Sequence, residues 1–404
     1  MLVITCFAMM TFIFGTFNLS GLFIVPITEE LGLSRGVFSL HLTCSMASSI
    51  ILNLNLSRLL EGLRRKTMFL IACLVCIVVF VGYGMASQLW HFFALSFCMG
   101  FVSPILTSTG TSVLINENIT AKIRGKVMGI VMAGSGFGTM ILSPILTQII
   151  LRMGWRFAYY AGGAMVILIV LPLIILFVGD PKPEIPEEPK EEETPVEALE
   201  HVDYPQPTGI GFFVVVTIGM ISLVSGVLHS QMMPYSIELH IDETVASFMI
   251  SLYAGFLVIG KIALGALCDK IGTRAGFNLT LVVLLASQVM TVFSKVIPGL
   301  YIPSIVLYGI GNTTSTVGIV LYLTALYGQE NYNKVVGKYM AAMSIFGVAG
   351  PLVGSFSYDL TGSYVPAFAL CAVLCVIILA CSITSFHKVS RQRAEYLTGH
   401  PEAM

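Results

Sequence analysis

The sequence predicts an all-α membrane protein of twelve spanning helices arranged as two six-helix repeats. Three observations lead there. Of 404 residues, 56% are hydrophobic and only 11% charged, against about 25% charged in soluble domains, and the mean hydropathy is +0.89. One globular core cannot hide that much apolar surface, whereas a bilayer serves as its solvent. Apolar runs recur along the chain, each close to the roughly 20 residues that cross about 30 Å of hydrocarbon. The two halves also match at one fixed offset.

The runs cover 2–27, 36–57, 67–87, 89–115, 125–151, 157–179, 209–235, 246–268, 275–296, 299–326, 336–357 and 364–386. No A-x-A cleavage site follows the first, so it is read as a retained helix; the chain begins almost inside it, which raises the expectation of an alternative start site. The second carries His41 and ends at Glu61, Arg64, Arg65 and Lys66. The third holds Cys73 and Cys76 at CxxC spacing among Ile71, Leu74, Val75 and Ile77. Those neighbours make the pair small helix residues rather than a metal or redox site. The fourth carries Pro104 and the hydroxyls Ser103, Thr107, Ser108 and Thr109; the tenth carries Asn312 followed by Thr313, Thr314, Ser315 and Thr316. Both sets serve either helix–helix hydrogen bonds or the lining of an aqueous path. "GSGFG" at 134–138 in the fifth run follows no strand, so it reads as close helix packing, not nucleotide binding. Residues 1–179 form the first repeat. Residues 180–207, with ten acids, two lysines and seven prolines, cannot bury enough apolar surface to fold and read as an acidic cytoplasmic linker. Residues 208–388 form the second repeat, and 389–404 a cytoplasmic tail.

Lysines and arginines set the orientation. With both termini inside, the inner loops and tail hold Arg58, Arg64, Arg65, Lys66, Lys122, Arg124, Lys126, Lys182, Lys190, Lys270, Arg274, Lys334, Lys338, Lys388, Arg391 and Arg393. The outer loops hold Arg35, Arg152, Arg156 and Lys295. The positive-inside rule therefore predicts a multi-pass protein of the cell membrane with both termini cytoplasmic. Lys261 is left over, inside an apolar run.

An offset of 208 residues superimposes the halves. It pairs Pro26 with Pro234, Glu30-Leu31 with Glu238-Leu239, Ser57 with Gly265, Gly110 with Gly318 and Gly154 with Gly362. Such parallel repeats are typical of transporters that rock one half against the other.

"GALCDKIGTR" at 265–274 resembles the loop signature of the major facilitator superfamily, G-x-L-x-D-[RK]-x-G-x-R. "SRLLEGLRRK" at 57–66 stands at the mirrored place, with Ser57 and Glu61 where the signature has glycine and aspartate. "GIVMAGSGFG", "GWRFAYYAGG" and "GVAGPLVGSFSYDLTGSYVPAF" resemble, more narrowly, the monocarboxylate transporters and the oxalate/formate antiporters. The resemblance covers essentially the whole chain. It implies a twelve-helix bundle working by alternating access. It also implies a latch of charges closing the cytoplasmic side, here Glu61, Arg64 and Arg65 opposite Asp269, Lys270 and Arg274.

Lys261 lies eight residues before Asp269, about 12 Å deeper at helical rise. A charge there costs a few kcal/mol, about 2.5–3.5 on insertion scales. Snorkelling along the four-carbon stem reduces that cost, and a substrate anion is the competing partner. In the two families the eighth helix is implied to carry an arginine four residues before the signature glycine, where it meets the substrate carboxylate. Lys261 holds that position relative to Gly265. Lysine is a point charge rather than a bidentate fork. The oxalate carriers add a second deep lysine in helix eleven, where this chain has Ala349 and Gly350. One deep cation suits a monoanion better than a dianion.

The expected function is secondary transport of a small organic anion, most simply a monocarboxylate, with Lys261 binding it and Asn312, His229 and Asn18 lining the path. His229 and His41 are the titratable groups within the spans that a proton-coupled carrier would use. The alternatives are export of a neutral or amphipathic compound, or a membrane sensor that binds without moving its ligand. No nucleophile with a base and no metal cluster can be assembled within the apolar runs, so neither an enzyme nor a metal or cofactor is expected. A net charge of −1 argues against nucleic acid as a partner. The expected partners are the substrate and the bilayer, with the monomer as the working unit.

Overall fold

The computed structural model describes residues 1–62, 64–179 and 207–399. All but the last residue of the acidic segment lies outside them. Ten helices are long and apolar enough to cross a membrane, and two bent pairs bring the spans to twelve among the described residues. They are α1 (Leu2–Asn18, continuing after a 45° bend as Gly21–Leu31), α2 (Arg35–Gly62), α3 (Arg65–Met85), α4 (Leu89–Asn118), α5 (Ala121–Met153) and α6 (Trp155–Phe177). The second set is α7 (Gly211–Glu238), α8 (Glu243–Ile271), α9 (Thr273–Phe293), α10 (Pro298–Ser315, continuing after a 41° bend as Val317–Tyr327), α11 (Gln329–Thr361) and α12 (Val365–Gly399). Helices satisfy every backbone group internally, which hydrocarbon demands. Ile71, Leu74 and Val78 on α3 and Val373 and Val376 on α12 face outward, exposed, as a lipid solvent allows.

The repeat is visible in the backbone. Leu33 N–H bonds the Thr28 carbonyl, and at offset 208 Ile241 N–H bonds the Ser236 carbonyl, both at 3.0 Å. Between them stand Gly32 at φ 63° and His240 at φ 57°, the left-handed turn that ends α1 and α7. Glu30 takes the Trp155 indole N–H at 2.6 Å and pairs with Arg156, fixing the end of α1 to the start of α6. Its counterpart Glu238 takes Ser363 Oγ–H at 2.6 Å and Tyr364 N–H at 2.8 Å, fixing α7 to α12.

The helical path is also broken within α4 and at the bend of α10. In α4 the helical path is interrupted at Thr107 (φ −120°, ψ −139°), one turn after Pro104, whose ring cannot donate into the ladder. In α10 residues Asn312–Ser315 form a 3-10 turn without any proline. There the hydroxyls of Thr313, Thr314 and Ser315 bond carbonyls three residues back at 2.7, 2.7 and 2.8 Å. That spacing competes with the α ladder and matches the tighter helix. These side chains thus turn back on their own backbone rather than bridging helices.

α12 runs well past the predicted boundary at residue 386. Arg393, within the segment expected to be a tail, donates to the Ala325 and Leu326 carbonyls at 3.0 and 3.2 Å, covering orphan acceptors at the end of α10.

Twelve spans put both termini at one end of the bundle, the terminal end. At the opposite, distal end the halves meet along α1–α7, α2–α11 and α5–α8. Ser143 Oγ–H bonds the Ser247 carbonyl at 3.0 Å, Ser251 the Met140 carbonyl at 2.7 Å, and Gln148 the Thr244 hydroxyl at 3.0 Å. A Cβ on Gly136 of α5 would stand 2.9 Å from the Val258 side chain. Seven residues further toward the terminal end on the same faces, Gly129 and Gly265 have nothing within 4 Å. The halves are therefore sealed distally and parted at the terminal end.

Candidate functional site

Lys261 stands where that seam opens. On α8, Ser247, Ser251, Ala254 and Val258 recur at helical spacing on the face turned to α5, and Lys261 follows one turn later. The helix is unbroken from Glu243 to Ile271, so the depth of about 12 Å inside Asp269 holds. The side chain is half-buried. Among the described residues no acid and no hydrogen-bond acceptor meets it. The preceding residue, Gly260, lies against α10, where an added Cβ would stand 2.7 Å from the Thr313 methyl. Lys261 is thus level with the 3-10 break of α10.

The other three predicted residues form one polar cluster built by α1, α7, α8 and α10. Asn18, at the bend of α1, holds Thr139 Oγ1 through Nδ2 at 3.4 Å. The His229 ring on α7 lies beside the Asn18 backbone. Its Nδ1 atom is buried and has no hydrogen-bond partner among the described residues. The imidazole lies 5.5 Å from the Tyr253 ring, and Tyr253 stacks on Tyr308 at 4.9 Å. Asn312 Nδ2 donates to Tyr253 Oη at 2.8 Å, while Ser315 Oγ donates to Asn312 Oδ1 at 3.1 Å. A neutral set of donors and acceptors therefore spans both halves, with Lys261 two turns along α8 from Tyr253.

Tyr253 and Tyr308 were missed by sequence reasoning. One signal was present: the offset pairs Tyr253 with Ser45 and Tyr308 with Gly100, large residues against small. His41 sits elsewhere. Its Nδ1 bonds the Phe38 carbonyl at 2.6 Å, and it borders a cavity of about 40 Å³ within the first half, with Thr16, Ser20, Ser45, Tyr83 and Ser96. Such a cavity has room for about one water.

The predicted latch residues are not brought together. The Glu61 side chain lies outside those described. Arg64 is exposed at the start of α3. Arg65 holds Glu117 at the end of α4 with Nε–Oε1 at 3.0 Å and Nη2–Oε1 at 2.8 Å, inside the first half. Asp269, Lys270 and Arg274 flank the turn at Gly272, exposed and with no ion pair among the described residues.

A family model described as Major Facilitator Superfamily matches residues 5–236 and 210–397. An uncharacterized MFS-type transporter of Bacillus subtilis, YcxA, is 24% identical over 263 residues, covering 62% of this chain and 61% of the relative. Monocarboxylate transporter 12 of Rattus norvegicus is 22% identical over 294 residues, covering 65% of this chain and 60% of the relative. The chain thus spans about 60% of the length of these curated relatives. Among solved structures, a bacterial homolog to the human lysosomal transporter Spinster, in an inward-facing and unoccupied conformation, has a TM-score of 0.67 at 14% identity, covering 98% of this chain and 96% of its own. A nucleoside transporter reaches 0.72 at 10% identity (96% and 100%), and a D-xylose–proton symporter 0.70 at 14% (94% and 96%). At these identities the likeness establishes the fold.

Proposed function

The chain belongs to the major facilitator superfamily, and from that premise we propose that it carries a small organic anion, most simply a monocarboxylate, across the membrane by alternating access. One observation carries the reading. Lys261 is a deep cation without a partner among the described residues, placed where the two halves part. An unpaired charge in that position costs stability, and a substrate carboxylate removes the cost. The asparagines Asn18 and Asn312 and the imidazole of His229 then bind the polar remainder of the cargo. A monocarboxylate transporter among the relatives supports the same class. With the termini on the cytoplasmic side, as the lysines and arginines favour, the open end faces inward. The charged loops around Arg64, Arg65, Asp269, Lys270 and Arg274 meet only when that end closes. The protein works as a monomer in the plasma membrane, its two repeats joined by the acidic segment 180–207.

A second reading, transport of a neutral polar solute, draws on the uncharged character of the Asn18–His229–Tyr253–Asn312 cluster. Uptake by proteoliposomes across a panel of monocarboxylates, dicarboxylates and neutral polar solutes, at several pH values with and without a proton gradient, separates the two. Saturable uptake confined to monocarboxylates is the expected outcome. Uptake without preference for carboxylates would remove the anion reading.

A further inference from the structure

The distal seam between α2 and α11 is closed by a carboxylate that one half lends to the other. Asp359, near the end of α11, accepts Arg35 N–H on Oδ1 at 3.1 Å and Gly36 N–H on Oδ2 at 2.7 Å. These are two of the four N–H groups that the first turn of α2 leaves without an intrahelical partner. A third, Val37 N–H, goes to Ser34 Oγ at 3.2 Å, within its own half. The Arg35 guanidinium lies 3.9 Å from the Tyr358 ring and donates to Tyr364 Oη at 2.8 Å. One turn further in, Ser39 and Ser355 share a hydrogen bond of 2.7 Å. Gly36 makes the approach possible: a Cβ there would stand 2.6 Å from both Asp359 Oδ2 and the Phe356 ring.

The mirrored helix start is built differently. At offset 208 Ser34 corresponds to Asp242, which caps its own helix α8 by accepting Thr244 and Val245 N–H at 2.8 and 3.4 Å. Asp359 corresponds to Leu151, which offers no acceptor. Among the described residues the α5–α8 seam shows neutral hydrogen bonds, Gln148 to Thr244, Ser143 to Ser247 and Ser251 to Met140. Among the described residues Asp359 is the acid that bonds across the halves. Charge-assisted bonds to backbone N–H groups are about twice as strong as neutral ones, so Asp359 and the neighbouring Arg35–Tyr364 bond are the strongest polar contacts of a distal closure that neutral hydrogen bonds share.

We propose that Asp359 is a detachable helix cap and the principal lock of the distal gate. Closing docks the first turn of α2 onto the carboxylate and the Arg35 guanidinium onto Tyr358. Opening releases both together, and the freed N–H groups return to water at the membrane surface. The inference rests on alternating access but not on the identity of the cargo.

Hydrogen–deuterium exchange of the full chain in lipid nanodiscs, without substrate, tests it. Asp359→Ala is expected to speed exchange about fivefold, the population shift that corresponds to losing one cap of ~1 kcal/mol. The increase should reach not only residues 35–39 but also the distal ends of α5 and α8, because the halves separate as bodies. Gly36→Ala, which leaves the carboxylate in place but blocks its approach, should reproduce the pattern. Asp242→Ala, which removes a cap of the same chemistry within one half, should change only the start of α8. An increase confined to Arg35 and Gly36 would make Asp359 a local cap and overturn the gate. An increase spread over all helices would assign it to the fold and overturn the gate equally. Failure of the carboxylate uptake panel leaves this measurement unaffected.

Discussion

Replacing Lys261 by glutamine keeps most of the side chain's length and removes its charge. Lys261 has no hydrogen bond or ion pair within the described protein, so the substrate carboxylate would be its first partner. A hydrogen bond between charged groups contributes about 1.5–3 kcal/mol, and each 1.4 kcal/mol is tenfold in affinity. The substitution is therefore expected to raise the apparent KM for the anion by about 10- to 150-fold. Stability should move the other way. A charge near mid-membrane costs about 2.5–3.5 kcal/mol on insertion scales. Half-burial of the side chain discounts that, but the sign remains, so Lys261→Gln should melt higher than the parent protein. Lys261→Arg keeps the charge and should retain uptake. The assay is initial-rate uptake of the labelled anion into proteoliposomes, with a thermal-shift measurement on the same preparations. A snorkelling lysine without a role in binding predicts unchanged KM and maximal rate for Lys261→Gln. That result, or a lowered melting temperature with uptake intact, would refute the reasoning.

Three further outcomes follow from the geometry. Tyr253→Phe leaves Asn312 Nδ2 buried without its 2.8 Å acceptor. It should cost about 1–3 kcal/mol in thermal or denaturant stability, and adding Asn312→Ala should cost less than the sum because the pair is then removed together. A double-mutant cycle at Arg65 and Glu117, whose side chains are 14% and 24% exposed, should give a coupling of about 1–2 kcal/mol for a multidentate, half-buried pair. The same cycle at Arg391 and Glu395, 76% and 61% exposed, should give no more than about 0.5 kcal/mol; equal couplings would contradict the burial argument. Gly21→Val places a Cβ that would stand 2.5 Å from the Ser230 carbonyl oxygen at the α1–α7 crossing. It should lower the uptake rate and speed exchange on the distal side, and full activity would show that this crossing tolerates separation.

What could be read from the sequence shares one physical property: it repeats locally. Apolar runs follow from the hydrocarbon thickness, and the 208-residue offset found pairs whose roles the structure then supplies. Glu30 and Glu238 each fasten the first helix of a repeat to its sixth, and Gly32 and His240 each turn the chain at the same place. What escaped depends on partners far apart in the chain. The 3-10 turn at Asn312–Ser315 needed the direction of three hydroxyls. The link from His229 to Asn312 needed Tyr253, which no motif marks. The Arg65–Glu117 pair joined two segments that had been read apart.

Asp359 sharpens the logic applied to Lys261. Lys261, with Asn53 at its mirror position, is a charge present in only one repeat, and on the view that features shared by both repeats serve the rocking frame it would serve the cargo. Asp359 is also present in one repeat, with Leu151 at its mirror position, yet two backbone N–H groups of the other half already occupy its carboxylate. Asymmetry alone therefore does not separate cargo from machinery. Satisfaction does. A gate residue is paired in the state that it holds shut, so its bonds are present in the structure of that state. A binding residue waits for a partner that arrives from solution, so in the protein alone it is the group left unpaired. By that criterion Asp359, paired across the halves, fits the proposed distal gate, and Lys261, unpaired among the described residues, fits the proposed path; the charges of the terminal loops, apart while that end is open, would meet it only on closing.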